Sequence, residues 1–359
     1  MERTRREDWG FAMGSIRQRG FISLIFLALS VFLLFAVAAS GCGKETVEIG
    51  EREGEAETAG TNEEEARGHV GIAFVRDDLI YLAGEDGSGA RPLTDHAAGY
   101  QDLAFSPSGA RLAAIRVEGD AMPQLVVFDV ESGRETEVSW TNERYSGAWN
   151  AAGVEPWFGG ISWSGEDSLY CTGIRMDKGM ELQVLKVDLS PPKVTVVESD
   201  AQNPALSPDG KRLAYIRRPE AYGTDWESGS PGELIVRELG SGKERRLDIG
   251  GMGYYVFDAV FSPGGDSMAA VVFSEPDVAL YVADANGKVL HSLSHMGPSG
   301  SFSRPWFSPR GERLVVHRSF MVQPGEMPER TLCVLPAGED NPRVTELGEG
   351  SDPAWSPAR

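Results

Sequence analysis

Six positions in this 359-residue chain share one context. Asp102, Gly160, Asn203, Asp258, Arg304 and Asp352 each stand four residues before a serine of a recurring stretch. If the repeats surround an axis, three carboxylates, an amide and a guanidinium form a ring at one end of it. Such oxygens could hold a hard cation such as Ca2+, or take up an amine or other basic group. The same side chains could instead cap neighbouring strand ends, with Arg304 paired to an aspartate. Other chemistry-bearing residues are sparse. His291 and His295 stand four apart, one in an expected strand and one just beyond it; His317 ends another strand beside a long loop. Asp86-Gly-Ser-Gly resembles a calcium-loop fragment, but it sits where a strand-three turn belongs and lacks the remaining ligands. The sequence holds no Gly-x-Ser-x-Gly elbow, no phosphate loop and no His-Glu-x-x-His pair. No catalytic residue is assigned, and no cofactor is expected beyond a cation that Asp102, Asp258 and Asp352 could hold.

The elements that must position these residues recur along the chain. The fullest copy is Leu-Ala-Phe-Ser-Pro-Ser-Gly-Ala-Arg-Leu-Ala-Ala-Ile, from Leu103 to Ile115, and its serine, Ser106, is followed by equivalents at Ser164, Ser207, Ser262, Ser308 and Ser356. A repeat at this period calls for a repeat architecture. In four units a short apolar strand ends at Ser-Pro-x-Gly, where proline fixes φ, serine bonds the local backbone and glycine accepts positive φ; Trp163-Ser164-Gly165 is a worn copy without the proline and Trp355-Ser-Pro357 a half copy. A second strand, a variable loop, a third strand, an Asp/Gly turn and a fourth strand follow. Four short antiparallel strands per unit make a propeller blade. The last unit, Asp352-Pro-Ala-Trp-Ser-Pro, is a first strand with nothing after it, whereas residues 72–94 are later strands with no first strand before them. The expected fold is therefore all-β, a six-bladed β-propeller over residues 69–359. Pairing of the C-terminal strand with the N-terminal strands closes it, which removes free sheet edges.

The Phe-Ser-Pro-Asp-Gly-Lys-x-Leu-Ala pattern, with Leu-Tyr-Val-x-Asp between copies, resembles the WD40-like PD40 repeats of the TolB carboxy-terminal propeller. The resemblance covers the whole of residues 69–359. In place of a TolB-type amino-terminal domain stand an apolar segment and a tether, so the resemblance implies the fold more directly than a role in the Tol system.

Residues 1–20 carry five arginines, and residues 21–40 carry no charge. Such a run can span a bilayer or serve as the apolar core of an export signal, with its amino end left in the cytoplasm. It ends Ala39-Ser40-Gly41-Cys42, which resembles the lipobox of bacterial lipoproteins and implies cleavage before Cys42 and acylation of that residue. Ala39 departs from the usual leucine, and an uncleaved transmembrane anchor is the other reading of residues 1–41. Residues 42–68 are the lipidated cysteine and an acidic tether too poor in apolar residues to fold. Both readings put the propeller outside the cytoplasm, in the periplasm or on the cell surface. Cys171 and Cys333 fall in strands of opposite blades and are expected to be buried free thiols. Net charge is −20, about −16 of it in residues 69–359, which disfavours nucleic acid and anionic lipid as partners.

Every long loop joins strands two and three or links successive blades, so all fall on one face. They carry Trp140, Tyr145, Trp149, Trp157, Phe158, Tyr222, Trp226, Tyr254, Tyr255 and Phe320. Aromatic loops on a rigid face suit recognition of a protein, a peptide or an envelope glycan. They could also pack the loops onto the blades. The leading reading is a membrane-anchored lipoprotein whose propeller is a binding module. The alternative is a propeller hydrolase, lyase or cyclotransferase with a polar or metal site at the channel mouth. A transmembrane-anchored extracytoplasmic sensor is the minor alternative.

Overall fold

A computed structural model describes residues 70–118, 123–138, 154–155, 160–175, 181–219, 231–251, 255–274, 277–296, 300–320 and 329–357. They form six antiparallel sheets and no helix. From the axis outwards, the second blade runs Gly99–Phe105, Arg111–Val117, Gln124–Asp129 and Glu135–Glu137. The fourth runs Ala201–Leu206, Arg212–Arg217, Glu233–Glu238 and Glu244–Leu247, and the fifth runs Tyr255–Phe261, Ser267–Ser274, Asp277–Asp284 and Val289–Met296. The third and sixth have short inner strands, Ser162–Trp163 and Trp306–Phe307, each with a second short piece on the same neighbour, Val154–Glu155 and Gly300–Phe302 respectively. The first blade is built from both ends of the described chain. Ser351–Trp355 pairs antiparallel with Ile72–Arg76, which continues into Leu79–Ala83 and Arg91–Pro92. Contacts between successive blades run round the whole ring.

The strand patterns follow from this stacking. Second strands are covered on both faces by neighbouring blades, so they read as continuous apolar runs rather than alternating ones. Leu112, Ala113, Ala114 and Ile115 are all buried, as are Leu213, Ala214, Tyr215 and Ile216. Outer strands such as Glu135–Glu137 and Glu244–Leu247 are mostly exposed and charged. One of them carries an ion network. Arg217, Tyr215 and Arg237 hydrogen-bond Glu244 and hold its carboxylate down to about 2, against the upward pull of burial. Arg217 also reaches Glu198 of the third blade at 3.0 Å, tying the two sheets together.

The Ser-Pro-x-Gly turns repeat the same bonds. In the fourth blade the Ser207 carbonyl accepts from Gly210 N at 2.8 Å, and the Ser207 hydroxyl accepts from Arg212 N at 2.9 Å. Ser106, Ser262 and Ser308 do the same for Arg111, Ser267 and Arg313. Gly210 has φ +69°, a left-handed conformation that glycine adopts without strain. The arginine that opens the second strand then grips the next blade. Arg111 donates to Glu166 O at 3.0 Å, and Arg212 donates to Gly265 O at 2.6 Å while stacking on Phe261.

Both histidine placements need correcting. His295 lies within Val289–Met296 rather than beyond it, because that strand continues through a bulge. His317 is inside Arg313–Phe320 rather than at its end, because Gly300–Phe302 and the start of Glu329–Pro336 extend the pairing on both sides.

Removing residues 351–359 should leave two unpaired sheet edges. We expect loss of a single cooperative melt by circular dichroism and self-association by size-exclusion chromatography; a monomer with unchanged melting would refute closure as the stabilising element. Ser207→Ala removes the turn acceptor of the half-buried Arg212 N–H, and the expected cost is about 0.5–1.5 kcal/mol, read from the urea unfolding midpoint.

Candidate functional site

The six equivalent positions lie on or just before the inner strands, and they divide by backbone conformation. Asp102, Asn203 and Asp352 have φ of +53°, +54° and +46°, and Gly160 has +80°. Each of the three strands containing Asp102, Asn203 and Asp352 breaks register there, at a bulge. Asp, Asn and Gly are the residues that tolerate this left-handed geometry, so the backbone itself accounts for four of the six residue types. Asp258 and Arg304 are outside that constraint.

These two form the polar centre. Arg304, from the sixth blade, crosses towards the fourth and donates from Nη2 to Pro204 O at 2.9 Å. Its Nη1 lies 3.7 Å from Asp258 Oδ1, and the side chains are only 7% and 10% exposed. Burial raises Asp258 to about 6, against the opposing pull of Arg304 and of a 2.7 Å bond from Ala259 N. Asn203 fixes the neighbouring wall, donating from its backbone N–H to the Thr172 hydroxyl oxygen at 2.9 Å and from Nδ2 to Phe257 O at 2.7 Å. Gly160 closes the group: a Cβ there would lie 2.5 Å from Asn203 Cα and 2.6 Å from Arg304 Nη1.

The remaining two aspartates lie in separate surroundings. The Asp352 N–H donates to His317 Nδ1 at 3.0 Å, which leaves the ring proton on Nε2. Burial lowers the His317 pKa, the Asp352 charge opposing it. Asp102 lies near Cys171, whose thiol is pushed up to about 12 by burial and then by that charge. Cys171 and Cys333 are both buried and unbridged, and neither is poised as a nucleophile. Among the described residues, no group of three or more His, Cys, Asp or Glu side chains is placed to hold a metal ion. Asp102, Asp258 and Asp352 thus do not gather into a cation cage there.

Of the loop-face aromatics, Tyr255 begins the inner strand of the fifth blade half-buried, and Phe320 ends its strand 45% exposed. Trp140, Tyr145, Trp149, Trp157, Phe158, Tyr222, Trp226 and Tyr254 lie outside the described residues. So do Cys42 and the apolar segment 21–40; among the described residues no helix is long and apolar enough to cross a membrane.

Sequence reasoning missed Trp306. Two residues before the repeat serine the other blades carry Ala104, Ser162, Ala205, Val260 and Ala354, all small or moderate. Trp306 replaces them with an indole that packs against three separate core clusters, with the Arg304 guanidinium 5.5 Å from its ring centre. The signal was present as the one outsized residue in that column. Beyond it, at the turn end of the channel, a cavity of about 460 Å3 is lined by Arg304, Trp306, Trp163, Phe261, Trp355 and the turn prolines, among others.

The closed ring, its repeated turns and its axial channel define a six-bladed β-propeller. Among propellers it is TolB-like. A protein TolB homolog of Chlorobium chlorochromatii is 34% identical over 122 residues, 34% of this chain and 24% of that protein. The matched region thus spans about a quarter of that relative's length. The crystal structure of TolB from Acinetobacter baumannii superposes with a TM-score of 0.59 at 19% identity, covering 80% of this chain and 67% of that one. A chain of a nidogen/laminin complex superposes with a TM-score of 0.54 at 10% identity, covering 80% and 98%. No protein-family model matches the sequence.

The Asp258 pKa is raised above the ordinary carboxyl value of 3.8, first by burial. Protonation therefore favours the folded state: the contribution is fully present below about pH 4 and is lost as pH rises through about 6. Against an Asp258→Asn variant, the wild-type protein should lose melting temperature progressively between pH 4 and 6.5. A difference that stays flat over that window would rule out the buried-carboxylate assignment.

Proposed function

We propose that this protein is an exported, membrane-anchored binding propeller, with its long-loop face presented to a protein or peptide partner. One observation carries the reading. The turns joining strands one to two and three to four close on backbone hydrogen bonds, while the longest connections, those following Glu137 and Arg217, leave from the opposite strand ends. The longest connections are therefore concentrated on one face of a rigid ring. The likeness to TolB and to a chain from a complex of two proteins supports a binding role, and an envelope glycan is a further ligand class for the same aromatic surface. Residues 1–41 are the export signal or anchor, Cys42 carries the lipid, residues 42–68 are the tether, and the propeller occupies 69–359. This places it outside the cytoplasm, in the periplasm or on the cell surface.

Residues 69–359 used as bait on envelope extract should retain a partner. The same bait with Trp149, Trp157, Tyr222 and Trp226 changed to alanine should lose it while remaining folded by circular dichroism. Equal retention by both baits would place recognition elsewhere. Cys42→Ala should abolish incorporation of labelled palmitate; a mature protein whose mass includes residues 1–41 would instead mark an uncleaved anchor.

A further inference from the structure

The turn-side cavity of the channel is a site distinct from the long-loop face and stands on separate observations. At about 460 Å3 it is the size of a small-molecule pocket. Its walls are aromatic, and prolines of the repeat turns form its rim. At its inner end lies Arg304, with a side chain only 7% exposed. Only Nη2 of that guanidinium is engaged, on Pro204 O. Nε and Nη1 have no hydrogen-bond partner among the described residues, and the same is true of the indole N–H of Trp355 on the cavity wall. All three atoms are donors. A buried donor left without an acceptor is costly, and a guanidinium beside an apolar wall matches a carboxylate.

We propose that this cavity binds a carboxylate bearing an apolar side group, the acid seated on Arg304 and the side group against Trp306 and Trp355. The ligand is either a free small acid or the C-terminal residue of a peptide, which present the same chemistry. Two features suit the site to it. Asp258, the acid facing the guanidinium, sits 3.7 Å off and is itself bonded by Ala259 N, so Arg304 is paired without being saturated. The aromatic walls offer an apolar body large contact area.

The test uses the full-length chain in a non-ionic detergent, with calorimetry and tryptophan fluorescence as readouts. 3-Phenylpropionate should bind, and 3-phenylpropionamide should bind about tenfold more weakly or not at all, as expected for loss of a charge-assisted bond. Arg304→Gln should remove that preference. Should that variant fail to fold, Leu206→Trp reduces the cavity from its wall and leaves Arg304 in place. Tryptophan already occupies the equivalent position at Trp163 and Trp355, and this variant should weaken binding of the acid. N-acetyl-Ala-Phe with a free C-terminus, compared with its C-terminal amide, separates the two sources. Tighter binding of the dipeptide acid than of 3-phenylpropionate assigns the site to peptide C-termini, and the reverse assigns it to free acids. Equal affinity for acid and amide, no binding of any acid, or unchanged binding in both variants would overturn the proposal.

Discussion

The structure depends on one backbone pairing, that of Ser351–Trp355 with Ile72–Arg76. Without it the sheets would be an open array with an unpaired first and last edge, and exposed edges template aggregation. With it, each blade is buried between two others, which explains why second strands tolerate apolar side chains on both faces. Closure also fixes the axis. Six inner strands converge on it, and the bulged, left-handed residues at Asp102, Asn203 and Asp352 bend those strands so that their ends can meet.

Within that ring, covalent repetition does not produce six equal blades. The turns are the most regular part, because a buried serine hydroxyl, a carbonyl and a positive-φ glycine satisfy one another locally. The arginines at 111, 212 and 313 extend the regularity to the interfaces by reaching the next blade. At the axis the symmetry is broken on purpose of packing: one tryptophan and one arginine from the sixth blade fill space that six small residues would leave open. A single buried charge pair then replaces what the repeat alone would have made a ring of like groups. Arg304 offsets the buried Asp258 carboxylate only partly, and burial remains the stronger influence on it.

The two binding roles proposed for the ring divide between its faces in the same way. The turn face is built from short hydrogen-bonded elements around a cavity. The opposite face carries the longest connections between strands.

Much of this was legible in the sequence. The serine spacing gave six units, and the incomplete first and last units implied the closing strand, because turn chemistry and strand length are local properties. The polar column at 102, 160, 203, 258, 304 and 352 was also visible, but its meaning was not. Residue type there reports either a ligand group or a left-handed backbone, and only φ separates the two. The pairing of Arg304 with Asp258, the contact of Asp352 with His317, and the role of Trp306 as an axial filler join residues that lie 35 to 100 positions apart or on different blades. Local spacing determines which elements form; which side chains then share the axis is decided by closure, because only a closed ring brings distant strands within hydrogen-bonding distance.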